Sequence, residues 1–267
     1  EGLMRDAMDV VRAARERAGA AEPDAARRAA IEGLATGRAA LIGTELTPLM
    51  TTMGSLESKR LATDPWWAGA LARQFSARGL REGDTVLASF SGSFPGLNLS
   101  VMAACRALGL RLVAISSVTA STWGANEPGF TWPEMEAMVV AAGVLPRASV
   151  AVSLGGGRDA ARDLPEEGRE LARPIRRDTA RALGAAVLTT TTLDEAMARR
   201  LEVYRSALAS GHVPAPAAKP GRVAVGGIDP ASGVAAAYVN VGGNHASLGG
   251  ARAPFRREEG RMTPPAT

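Results

Sequence analysis

Ser91 and Ser93 flank a single glycine in the run Val86-Leu-Ala-Ser-Phe-Ser-Gly-Ser-Phe-Pro-Gly-Leu-Asn98. Two hydroxyls at that spacing suit one of two chemistries. In the first, they join backbone N–H groups at the start of a helix opening near Asn98 and hold an oxyanion. In the second, Ser91 or Ser93 is a nucleophile and His245 its general base. A nucleophile elbow needs Gly-x-Ser-x-Gly, and this turn lacks both flanking glycines. A third reading is structural, with the serines capping the helix.

Two further loops carry compatible groups. One holds Ser116, Ser117, Ser121, Trp123 and Asn126; the other holds Asn240, Gly242, Gly243, Asn244, His245 and Ser247. Neutral donors over glycine-exposed backbone suit a carboxylate, and Trp123 offers a flat apolar wall or packs its loop. Between Thr44 and Arg60, threonines and charges alternate with Leu46, Leu49, Met53 and Leu56. A solvated loop does not need those apolar residues. The segment is expected to tuck against the rest of the fold and to offer Lys59 or Arg60 to an anion. Two histidines and one cysteine leave no zinc constellation. His212 reads as surface, and Asp159 after Gly155-Gly-Gly157 is a lone carboxylate, weak grounds for an oxygen-bound cation. Neither a metal nor a cofactor is expected.

The elements that must position these groups alternate strand and helix. Apolar residues at helical spacing predict helices over 3–20 and from an Asp24 cap to Leu34. Asp64-Pro65 opens another helix, to Arg78. Strands follow at 86–90, 111–117, 149–154, 185–190, 223–225 and 235–241, with helices between them. Pro174 is expected to kink or break the helix over 166–183. This order predicts an α/β fold, a Rossmann-like doubly wound, mostly parallel sheet with helices on both faces. Its loops would then meet in one cleft at the strand C-termini. Residues 1–40 form a helical N-terminal segment and 41–250 the α/β domain, with a possible subdivision at the Pro-rich stretch 214–220. The polar tail over 251–267 is expected to be disordered.

Composition excludes several classes. The chain of 267 residues is 46% hydrophobic and only 4% aromatic, so its core is built from Ala, Val and Leu. A net charge of +4, with Arg dispersed among Asp and Glu, gives no basic stripe alternating with aromatics, so no nucleic-acid partner is expected. No run of about 18 apolar residues is present to span a membrane. Cys105, in Met102-Ala-Ala-Cys-Arg-Ala-Leu, reads as a small core residue.

Four segments together resemble one family. They are Leu41-Ile-Gly-Thr-Glu-Leu-Thr-Pro with Gly54-Ser-Leu-Glu-Ser-Lys-Arg60, and Phe90-Ser-Gly-Ser-Phe-Pro-Gly-Leu-Asn98. The others are Ile115-Ser-Ser with Ala120-Ser-Thr-Trp-Gly-Ala-Asn126 and Phe130-Thr-Trp132, and Tyr238-Val-Asn-Val-Gly-Gly243. Across about residues 40 to 250 the chain resembles the poly-gamma-glutamate system protein family. That resemblance implies an accessory protein of poly-γ-glutamate synthesis or export, on the extracytoplasmic face of the cell membrane behind an N-terminal anchor preceding Glu1. Its partners would be the polymer or a related anionic precursor and the other synthesis and export proteins. On this reading Ser91, Ser93 and Asn98 hold a carboxylate, with Ser117, Ser121, Trp123 and Asn240 around it. Lys59 or Arg60 neutralises it, and Asn126 and Asn244 orient the amides. The alternatives are a serine-dependent γ-glutamyl hydrolase or transferase, and a sugar-phosphate-binding unit. The latter is similar to sugar isomerase domains in its Ser-Gly-Ser turn and Ile-Ser-Ser strand end.

Overall fold

The computed structural model describes residues 1–34, 37–210, 235–242, 246, 256–258 and 261–263. Five parallel strands form the main sheet: β1 (Thr85–Phe90), β2 (Arg111–Ser117), β3 (Ser149–Ser153), β4 (Ala186–Val187) and β5 (Ala237–Val241). Their spatial order is β4-β3-β2-β1-β5. All six residues of β1 are buried, as a central strand covered on both faces requires. The fold is therefore α/β and Rossmann-like.

Side-chain alternation along the strands sorts the helices. Val86, Ala88 and Phe90 of β1 face a core shared with α1 (Gly2–Ala21), α4 (Trp66–Ala77), α5 (Pro95–Ala107) and α6 (Trp132–Ala141). On that same face, Val152 meets α7 (Glu166–Leu183). Leu87, Val113, Ile115 and Ala151 point the other way, onto Tyr204, Ala207 and Leu208 of α8 (Leu193–Ala209). The chain thus winds from β1 to β4 with α5, α6 and α7 on one face. It then adds β5 on the free side of β1. The reversal between β1 and β5 is the kind of switch point at which open α/β sheets bind ligands.

Several boundaries differ from the sequence expectation. The helix expected to open near Asn98 opens at Pro95, where a missing N–H costs no hydrogen bond. The segment after Leu41 contains a helix, α3 (Leu56–Ala62), capped by the Ser55 hydroxyl. Leu49 is buried in that segment, yet Leu46 and Met53 are 71% and 74% exposed. The strand expected over 185–190 is only Ala186–Val187, at the sheet edge. Its threonines serve the next helix instead: Thr192 caps α8, and Thr191 donates twice to Glu195. Pro174 does not break α7, which runs 18 residues through it, anchored on either side by buried Ala172 and Ala180. α2 (Ala25–Leu34) follows Asp24 as expected. In the tail, Arg256–Glu258 and Arg261–Thr263 pair antiparallel where disorder was expected. The linker 214–220, the strand 223–225 and His212 lie outside the described residues.

Candidate functional site

The C-terminal end of β1 delivers Ser91, Gly92 and Ser93 to the switch point. Ser91 N–H donates to Val241 O at 3.0 Å, which extends the β1–β5 ladder one residue past the strand. Gly242, with φ +106°, passes so close that a Cβ there would lie 2.5 Å from the Ser91 Cβ. A side chain at that position would separate the two strand ends. Asn98, in the first turn of α5, ties the helix back by donating from Nδ2 to Ser91 O at 2.9 Å. Its Oδ1 is buried without a partner among the described residues.

Beneath the turn lies Lys59, 2% exposed although it belongs to a short surface helix. Its Nζ donates to Ser93 O at 2.6 Å and to Ser121 Oγ at 2.7 Å, and stands 3.8 Å from the centre of the Phe94 ring. Among the described residues no carboxylate lies within ion-pair distance of it. Burial therefore lowers this amine from 10.5 to about 8. The ammonium is the root of a small network. Ser121 N–H and Ser91 O–H both donate to Ser93 Oγ at 3.1 Å, and Ser93 N–H donates to Ser91 Oγ at 3.1 Å. Ser93 and Ser121 both accept, yet among the described residues no acceptor takes either hydroxyl proton. The cluster is rich in donors and lacks an anion.

The other expected ligand groups are placed differently. Arg60, the neighbouring cation, is exposed. Asn126 is fully buried and donates to Thr44 O at 2.8 Å, so it clamps the Thr-rich segment to the sheet. Ser117 is buried and donates to Phe90 O at 3.3 Å, joining β2 to β1. Trp123 is half-buried with φ +61°, its N–H bound to Thr44 O. Asn240, opposite Ser89 in the ladder, donates to Gly242 O at 2.6 Å. Asn244 and His245 lie outside the described residues, so the pairing of His245 with Ser91 or Ser93 has no described geometry. Asp159 is not a cation ligand: Arg200 takes both its oxygens, at 2.8 and 2.9 Å, in a buried pair. Among the described residues no acidic, histidine and cysteine cluster could hold a metal.

No protein-family model matches the chain, and neither does a curated protein or a solved structure.

Buried polar centres also escaped the sequence reading, Glu136 and Arg200 among them. Glu136 on α6 is fully buried; it accepts from Ala148 N–H and Ser149 N–H at 3.0 and 2.8 Å and from the Ser149 hydroxyl at 2.5 Å. Arg200 on α8 reaches through the opposite face to Asp159, Ser89 and Ser153. Burial works against its charge, but the Asp159 carboxylate outweighs that and keeps it protonated. Both sit on otherwise ordinary helices, where a single charged residue gives no positional signal.

Proposed function

We propose that the protein binds a carboxylate-bearing ligand at the β1–β5 switch point, and that this ligand is γ-linked polyglutamate or an anionic precursor of it. One observation carries the reading: an ammonium buried, among the described residues, without a carboxylate or an acceptor for the Ser93 and Ser121 hydroxyl protons beside it. Burying a charge costs several kcal/mol unless it is compensated. A ligand anion would supply the compensation. The four-segment resemblance supports the choice of polymer and, with it, a role as an extracytoplasmic, membrane-anchored accessory to synthesis or export.

A second reading has its own support. Lys59 Nζ at 2.7 Å from Ser121 Oγ, with the amine lowered to about 8, has the form of a base beside a nucleophile. The hydroxyl would add to the γ-glutamyl carbonyl while its proton passes to the neutral amine, which then protonates the departing nitrogen.

pH separates the two. An anion favours charged Lys59, so binding weakens as pH rises through about 8; base catalysis needs neutral Lys59, so cleavage accelerates through the same range. Calorimetry and gel filtration with poly-γ-glutamate between pH 6 and 9 test both. We expect saturable binding without shortening, weakened about tenfold by Ser93→Ala, the loss of about one charge-assisted hydrogen bond. Shortening that Ser121→Ala abolishes would establish the enzyme. Neither binding nor shortening would refute the ligand.

A further inference from the structure

A second concentration of positive charge lies at the same end of the sheet, beyond β3 and β4. There a cavity of about 480 Å³ is lined by Arg162, Arg169, Arg173 and Arg176, with Thr189, Thr190 and Thr191 opposite. Arg169, Arg173 and Arg176 follow one another at four and three residues along α7, which puts them on one face. Like charges at this spacing repel. Burial, and then Arg173 itself, lower the Arg176 guanidinium's affinity for its proton, with Asp159 acting in the opposite sense.

The carboxylates in contact do not balance this charge. Glu166, on the same face of the helix, is shared between Arg169 at 2.5 Å and Arg173 at 3.2 Å. Asp159, on the cavity wall, is engaged by the buried Arg200. Glu195 touches the threonine run but is turned to the start of α8. Several donors are spent on holding the cavity open. Arg176 donates to Leu188 O at 2.8 Å, Arg162 to Thr191 O at 3.1 Å, and Arg169 to Leu164 O at 2.6 Å. Arg176 Nε, by contrast, is buried with no partner among the described residues. Each guanidinium has five donors in a planar fork that matches an oxyanion, and among the described residues Arg162 and Arg176 each direct only one of them to a partner.

We propose that this cavity is a second anion site, for a ligand bearing two or more oxyanion groups, either phosphates or the successive carboxylates of a polymer. It is two to three strand spacings from the Ser93 turn, about 10–15 Å along the sheet edge. In the polymer case, which rests on the function proposed above, one chain would occupy both sites, and affinity would grow with chain length.

The test is calorimetry at low ionic strength with two probes, pyrophosphate and γ-linked tetraglutamate. Wild type is compared with the double variant Arg162→Gln, Arg173→Gln and with Ser93→Ala, and circular dichroism checks folding. Should the double variant misfold, the half-exposed Arg173→Gln alone serves. We expect the arginine changes to weaken pyrophosphate about tenfold, and by more than Ser93→Ala does. Tetraglutamate weakened by both sets of changes supports one ligand across both sites. If only the arginine changes weaken it, the cavity stands and the switch-point reading fails. If only Ser93→Ala does, while pyrophosphate still responds to the arginines, the cavity is a phosphate site. Pyrophosphate that does not bind, or binds the arginine variants equally well, overturns the proposal.

Discussion

Glu136 shows what one buried carboxyl can do to stability. Burial raises its proton affinity, against the hydrogen bonds it accepts from Ser149, Ala148 and Ser116. In the folded state it therefore holds its proton at pH values where the unfolded chain has lost it. Stability falls as pH rises from the unfolded to the folded value, and the full penalty applies above both. Glu136→Gln keeps the shape and the acceptor for both N–H groups without the charge. Its urea unfolding should give a stability at pH 7 at or above that of wild type, and a flatter pH dependence. Glu136→Ala strands the N–H groups of Ala148 and Ser149 and should lose about 2–6 kcal/mol, at about 1–3 kcal/mol for each orphaned donor. Lys59 is the complementary case, a base that burial drives toward neutrality. Its position was legible only as a charge in a Thr-rich stretch. Which of Lys59 and Arg60 turns inward is decided by the register of α3, a seven-residue helix without a clean sequence period.

Elements with strong periodicity or continuous apolar runs were readable to within a residue or two. β1, β2 and α1 are examples, because burial on defined faces enforces their patterns. Where side-chain hydroxyls compete for the backbone, reading failed, as with the strand that shrinks to Ala186–Val187 before Thr191 and Thr192 turn to α8. The arginines of α7 did carry a signal in their spacing, but Glu166, Glu167, Glu170 and Asp178 among them read as a solvated face. Contacts between α3 and α5 had no signal at all. Gly96 in the first turn of α5 lies directly against the carbonyl of Ala62, and a Cβ there would overlap that oxygen and crowd Thr63. Gly96→Ala should push α3 away and carry Lys59 with it. The expected loss is about 1–3 kcal/mol of stability by thermal unfolding, together with weakened anion binding in calorimetry.

Taken whole, the molecule depends on a strand that arrives late. β5 pairs with β1 from Val86 to Phe90, and Ala236 N–H adds a bond to Thr85 O. A chain ending at residue 234 would leave β1, wholly buried in the finished sheet, as an open edge of unsatisfied N–H and C=O groups. Such edges recruit other strands. Light scattering should find that fragment associated at concentrations where the full chain is dispersed; a fragment as dispersed as the full chain would show that other segments shield the edge.

The strand order also sets a clock. About 150 residues separate β1 from β5, and at about 5–20 residues per second a ribosome needs about 7–30 s to supply them. Over that interval the helices already made can cover one face of β1 and α8 covers the other only as it emerges, but the edge stays open throughout, and half of the Ser91–Gly242 junction does not exist. A neighbouring nascent chain on the same message carries an identical β5. If that strand arrives first, the result is an exchanged pair, each copy completing the other's cleft.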